Sequence, residues 1–303
     1  MIANRPTADK ENLLGSIWMI AAMAVFAVED ALIKAVSVTM PITQILILFG
    51  AGGAFVFACI ARLNKEPLFI TDVLSRPMRI RVVFEITGRL FYVLAISLIP
   101  LSAATVILQA TPLVVVAGAA LFFGEKVGWR RWTAIIVGLI GVMIILQPGT
   151  DSFSILSILA ILGMFGFAGR DLASRAAPLS LGTSVLGFYG FLAIVVAGAI
   201  FSIWELAPFV QPDLQTSLYL LAAVLAGVAA YSFLMKAMRT GDVSSVTPFR
   251  YTRLLFGIAL GVLLFDEQLN LAMVVGSMLV VASGLFILWR GKPGSVPTPP
   301  TPL

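Results

Sequence analysis

The chain of 303 residues is 60% apolar and 12% charged, with a net charge of +5 and a mean hydropathy of +1.04. A soluble fold of this length cannot hide that much apolar surface, so the solvent it is built for is lipid. A single cysteine, Cys59, and no histidine exclude an internal disulfide framework, a thiolate metal cluster, imidazole-dependent zinc hydrolases and serine–histidine triads.

A helix crosses the hydrocarbon core in about 20 apolar residues. After a polar segment at 1–12 (MIANRPTADKEN), ten such runs follow: 13–35, 42–61, 79–98, 101–123, 132–147, 154–174, 183–203, 216–238, 243–265 and 271–289. They lack the alternation of a membrane barrel, so helix is the form they predict. The first run carries Glu29 and Asp30, which suits a retained span better than a cleavable signal. The proline-rich residues 290–303 read as an unstructured cytoplasmic tail. With the N-terminus inside, the inner connections hold 15 of the 20 Lys and Arg residues and the outer connections none. That split predicts ten spans with both termini cytoplasmic, and it explains the basic excess without nucleic acid. The clean rule, with no organelle presequence, points to a bacterial plasma (inner) membrane.

The two halves are alike. A shift of 142 lays LSAATVILQATPLVVVAGAALFFGEKV (101–127) over VSSVTPFRYTRLLFGIALGVLLFDEQL (243–269), with Ser102 on Ser244, Thr105 on Thr247, Phe123 on Phe265 and Glu125 on Glu267. A shift of 141 lays Phe26, Asp30 and Lys34 over Phe167, Asp171 and Arg175. Five spans per half is an odd number, so the second copy enters the membrane inverted, as in secondary transporters. The expected fold is an all-α integral membrane protein, with ten transmembrane helices in two inverted-topology five-helix repeats, 13–147 and 154–289, around a central cavity.

A span that begins LSAATVILQATPL, closes on FFGE and is followed by the glycine-bearing IIVGLIGVMIIL resembles the repeat of the EamA family, in the drug/metabolite transporter superfamily. Both copies match, so the resemblance covers nearly the whole chain. Within that family it points to the YddG-type aromatic amino-acid exporters. It implies a ten-span exporter of a small molecule, with no cofactor and no catalytic residues.

Charges within spans are costly and usually face an interior or a cavity. They fall in the first, third, sixth and ninth spans as Glu29, Asp30, Lys34, Glu85, Arg89, Arg170, Asp171, Arg250 and Arg253. These helices are expected to meet at the centre, with the fourth and eighth beside them and the uncharged fifth and tenth at the lipid edge. Asp30–Lys34, Glu85–Arg89 and Asp171–Arg175 are i,i+4 pairs. Each either neutralises itself for insertion or, for Asp30–Lys34 and Asp171–Arg175 at opposite mouths, forms an alternating gate. Four acids face five bases, six with Arg175, which leaves at least one cation without a protein partner. Arg250 and Arg253 have no acid nearby in sequence; they either receive a substrate carboxylate or pair with Glu85 or with carbonyls freed by Pro248.

Trp18, Phe26, Phe91, Tyr92, Phe165, Tyr231, Phe249, Tyr251 and Gln109 could hold a ring or an amino group, or could be packing faces. The substrate-binding set is therefore Trp18, Phe26, Glu29, Arg89, Tyr92, Gln109, Arg170, Tyr231, Arg250, Tyr251 and Arg253, with Asp30, Lys34, Asp171 and Arg175 gating. Trp129, Trp132, Trp204 and Trp289 sit at span ends as interface anchors. Gly257 and Gly261 suit a helix contact, and Pro112 and Pro248 suit kinks. Glu29 and Asp30 are the carboxyls a proton would use, yet both have basic neighbours, and proton exchange and facilitated diffusion both stay open. A membrane-embedded enzyme is disfavoured by the absence of GxGD, DxxxD and EExxxR motifs, and no Walker loop supports ATP-driven pumping. The partners implied are the bilayer and an amino acid or similar small metabolite, or a lipophilic drug in the alternative reading. Monomer and homodimer are both open.

Overall fold

Helices form where the apolar runs predict them, and the interest lies in where they break. The computed structural model describes residues 5–123, 128–147, 154–178, 180–240 and 246–289. Among these are eleven α-helices: α1 (Arg5–Val36), α2 (Ile42–Leu63), α3 (Arg76–Leu98), α4 (Leu101–Leu108), α5 (Thr111–Phe123), α6 (Trp129–Leu146), α7 (Ser157–Arg175), α8 (Thr183–Glu205), α9 (Leu214–Arg239), α10 (Thr252–Phe265) and α11 (Leu271–Trp289). Two 3₁₀ turns, Thr71–Leu74 and Thr247–Tyr251, complete the described secondary structure. Counting α4 with α5, and the second 3₁₀ turn with α10, the helices make ten passes. Six of these are long and apolar enough to cross a membrane by length and composition, and two shorter apolar helices lie within α6 and α11. The third pass is long but charged, and the ninth loses its first turn to 3₁₀ geometry. The expected tail at 290–303, with Glu125 and Ser244, lies outside the described residues.

The break between α4 and α5 has a local cause. Pro112 has no N–H to offer the Leu108 carbonyl, and its ring would crowd that oxygen. The chain turns at Gln109 and Ala110, and the Thr111 hydroxyl donates to the Leu108 oxygen at 2.5 Å instead. In the ninth pass, Pro248 opens the 3₁₀ turn, α10 starts at Thr252, and the Thr252 hydroxyl donates to the Phe249 oxygen at 2.7 Å. A shift of 142 lays Gln109 and Ala110 over Tyr251 and Thr252, so both passes change course at the same register. Pro112 thus breaks its helix, while Pro248 lies in a 3₁₀ turn that leads into α10.

Short connections make successive passes antiparallel. The bundle therefore has a near end, where α1 begins and α11 finishes, and a far end opposite. The four main helix contacts are α1 with α9, α3 with α7, α2 with α8 and α6 with α11. Each joins the first five passes to the last five, and the set is unchanged when every pass is exchanged for the one five places away. As expected, the fifth and tenth passes (α6, α11) pack chiefly on each other, away from the charged passes.

Two of these contacts need glycine. A Cβ on Gly166 of α7 would lie 2.3 Å from the Gly88 Cα of α3, and one on Gly50 of α2 would lie 2.7 Å from the Val195 nitrogen of α8. Neither backbone can retreat without parting the pair. Gly166→Val is therefore expected to destabilise the protein by about 1–3 kcal/mol, read as a lowered thermal midpoint in detergent. An unchanged midpoint would show that α3 and α7 do not depend on this contact.

Candidate functional site

Four passes that are far apart in sequence are tied into a closed ring by ion pairs. Glu29 of α1 takes Arg89 of α3. Glu85 of α3 lies 3.3 Å from Arg170 of α7, Asp171 of α7 lies 3.6 Å from Arg250 of the 3₁₀ turn, and Arg253 of α10 returns to Asp30 of α1 at 2.5 Å. Within the ring Arg170 also holds its neighbour Asp171 at 2.9 Å, Arg81 holds Glu85 at 3.5 Å, and the Tyr92 hydroxyl donates to Asp30 at 3.0 Å. Glu29 and Asp30 are each 1% exposed. Aromatic faces pave the ring: Phe49 lies 4.6 Å from the Arg89 guanidinium, Phe167 4.8 Å from that of Arg170, and Phe26 5.1 Å from that of Arg253. Such faces stabilise a cation where water is excluded.

The ring has two tiers. Towards the middle, Glu29, Asp30, Arg89 and Arg253 balance their charges. Nearer the near end, Arg81, Arg170 and Arg250 share only Glu85 and Asp171, and the Arg170, Asp171 and Arg250 side chains are 22–26% exposed.

The far end is fastened separately. Lys34 donates to the Ile96 and Ile99 oxygens at 2.8 Å each and stands 4.0 Å from Glu267. Glu267 accepts from the Leu101 N–H at 2.5 Å, the Ser102 N–H at 2.9 Å and the Ser102 hydroxyl at 2.6 Å. Glu205 does the same for α2, accepting from the Ile42 and Thr43 N–H groups at 2.9 and 2.7 Å. Both carboxylates satisfy N–H groups that a helix start leaves free and sit at the positive end of the helix dipole.

Several expectations change. The pairs Asp30–Lys34 and Glu85–Arg89 do not form, because each member finds a closer partner on another helix. The side chain of Arg175, the fourth gating residue, lies outside the described side chains. Arg250 and Arg253 pair with Asp171 and Asp30 rather than with Glu85. Among the described side chains no single cation is left over: Lys34, Arg89, Arg170, Arg250 and Arg253 each have a carboxylate within 4.0 Å, and the excess is shared. Arg81, counted by charge among the inner Lys and Arg although the third run spans it, is buried inside the ring.

Among the expected ring-holders, Tyr92 is buried at the centre, while Phe165 and Phe249 face outwards. Tyr231 packs edge-on against Phe57, 5.6 Å between ring centres. Trp18 packs on Phe233 with the Lys236 ammonium 4.1 Å above it, away from the ring of charges. Gln109 donates to the Arg250 carbonyl at 3.2 Å, and Tyr251 is buried. Gly257 and Gly261 meet Thr105 and Glu267, so they are close-packing positions. Trp129 and Trp204 are exposed at helix ends.

The profile of the EamA-like transporter family matches residues 13–147 and again 154–289. The chain belongs to the EamA-like transporter family. Its curated relatives include a riboflavin transporter of Vibrio cholerae, 26% identical over 92% of this chain and 95% of that one. They also include an S-adenosylmethionine uptake transporter of Rickettsia prowazekii (24%, covering 94% and 96%) and the pseudopaline exporter CntI of Pseudomonas aeruginosa (27%, covering 92% and 97%). A solved crystal structure superimposes with a TM-score of 0.63 over 93% of this chain and 98% of the other, at 18% identity, a likeness of fold. This EamA-like transporter is thus a multi-pass membrane protein whose family and relatives move small molecules.

Removing one member of a buried ion pair strands the other, at a cost of about 3–5 kcal/mol. Asp30→Ala in this EamA-like transporter is expected to lower thermal stability by that order, and the double variant Asp30→Leu, Arg253→Leu to recover most of it. Additive losses in that cycle would show that the two side chains do not interact. Glu267→Ala is expected to raise maleimide labelling of a Ser102→Cys reporter at the far end at least severalfold, and unchanged labelling would show that the cap does not hold that end shut.

Proposed function

We propose that the protein is a secondary transporter that exports amino acids, aromatic or neutral, and related small amphipathic metabolites by alternating access. The observation that carries this reading is the ion-pair ring, which links four passes from both halves through charges that can exchange partners without leaving the bundle. A ring of paired charges gives two packings of similar energy, as a rocking carrier needs.

We read the halves as inverted-topology repeats. The helix contacts that survive exchange by five places, and the matching breaks at Gln109 and Tyr251, support this. The near end, rich in Lys and Arg, is taken as cytoplasmic, in a bacterial inner membrane. The far end is fastened by Lys34, Glu205 and Glu267, while the near tier is partly exposed; this favours loading from the cytoplasm and hence export. Asp30, Lys34 and Asp171 then act as gating residues through partners on other helices. The aromatic rings of Phe26 and Tyr92 beside the ring of charges suit a solute with a ring. Riboflavin and S-adenosylmethionine, named for two relatives, each carry a fused heteroaromatic ring, which agrees with such a solute class and makes them the alternative substrates.

The test is uptake into liposomes that contain the purified protein, with a labelled aromatic amino acid and no ion gradient. Saturable equilibration competed by other amino acids is expected, slowed by Asp30→Asn and by Asp171→Asn. A flat trace with and without a pH gradient would reject the amino-acid assignment, and labelled riboflavin and S-adenosylmethionine in parallel would then decide between the alternatives.

A further inference from the structure

The near tier of the ring holds three guanidiniums against two carboxylates among the described residues, and Arg81 makes the difference. Its side chain is 3% exposed. The Nε donates to the Ser174 hydroxyl at 3.0 Å, Nη2 is 3.5 Å from Glu85, and Nη1 is buried with no partner. Arg81 also faces a glycine, which leaves room for a small group beside its Nη2. A Cβ on Gly190 of α8 would lie 3.7 Å from Arg81 Nη2 and 3.8 Å from Glu85 Oε2, in ordinary contact with no clash.

A buried guanidinium with an unused donor and no charge of its own to balance is costly in low dielectric. The cost falls when a monoanion with two in-plane acceptors arrives, and a carboxylate has that shape. The middle tier also has unused donors, Arg89 Nε and Arg253 Nε, but its charge is balanced, since Glu29 and Asp30 neutralise Arg89 and Arg253. We propose that the near tier, through Arg81, binds the carboxylate of the transported solute, and that Arg81 makes the carrier prefer solutes bearing that group. This rests on the transporter reading above and narrows its substrate class to carboxylates, zwitterionic or anionic.

Direct binding to the purified full-length protein in detergent tests the assignment without requiring transport. The probes are two pairs, phenylpropionate with phenylpropanamide and hexanoate with hexanamide, titrated by calorimetry in a carboxylate-free buffer with and without sodium chloride. In each pair the members differ only in the ionised group. The parent protein is expected to prefer the acid about tenfold, and Arg81→Gln, which neutralises the tier, to bring the pair near parity. Glu85→Gln adds a positive charge and is expected to strengthen acid binding about tenfold, and the Arg81→Gln, Glu85→Gln double variant, which has the parent charge without the Arg81 guanidinium, to recover only part of the preference.

Weakening of acid binding by Glu85→Gln would mean that the tier matters only for packing, and would overturn the proposal. So would equal binding of acids and amides by the parent. If Arg81→Gln fails to fold, the sign of the Glu85→Gln effect still decides. Loss of the preference in chloride alone would assign the tier to inorganic anions and remove the solute carboxylate. A preference kept for hexanoate but absent for the ring-bearing acid would preserve the carboxylate site while the aromatic reading falls.

Discussion

Everything in this bundle answers to the cost of keeping charge out of water. An unpaired charge at the centre of a membrane helix costs several kcal/mol, and two paired on neighbouring helices cost much less. Nine ionisable side chains within the passes, with Arg81 and Glu267, are arranged so that each finds an opposite charge on another element or one turn away. The first, third, sixth and ninth passes must therefore converge, and the uncharged passes are displaced outwards. Helix order in space follows from who carries the charge, with apolar packing filling in around it.

The backbone obeys the same rule. In a membrane a free N–H or carbonyl has no water to turn to. Glu205 and Glu267 take the first N–H groups of α2 and α4, Lys34 takes two carbonyls at the end of α3, and Thr111 takes the carbonyl that Pro112 abandons. Lys34 and Glu267 stand within reach of each other, so one small pair of side chains satisfies two helix ends on one face. Fastenings built from side-chain caps can be undone without unwinding a helix, which suits a face that has to open.

Hydropathy alone places the ten passes within a few residues, and the paired motifs around Ser102 and Ser244 make the duplication visible. Pro112 announces its kink in advance, because the lost donor is a property of that residue. The partners in the ring are another matter. An i,i+4 rule suggests Asp30 with Lys34, but Asp30 meets Arg253, 223 residues away. Local spacing carries no information about which helices cross. Arg81 was concealed by its neighbours Arg76 and Arg79, which make the start of α3 look like a cytoplasmic basic cluster. Glu205 is silent at its span end and Glu267 is legible only as the repeat partner of Glu125, although an acid just after an apolar run, in a connection without bases, is the signal of a side chain capping another helix.

The span of 223 residues between Asp30 and Arg253 has a consequence for biosynthesis. A ribosome adds about 5–20 residues per second, so Asp30 waits roughly 10–45 seconds for its guanidinium to be made. Glu85 meets Arg81 at once but waits for Arg170, and the main contacts of the first three passes and the fifth are with the half not yet translated. The amino-terminal repeat, complete as a sequence unit, is thus an unfinished surface with a stranded acid while it sits in the insertion machinery. Maturation belongs to the moment the ninth pass arrives, and two separately expressed halves would have to find each other before either became a folded object.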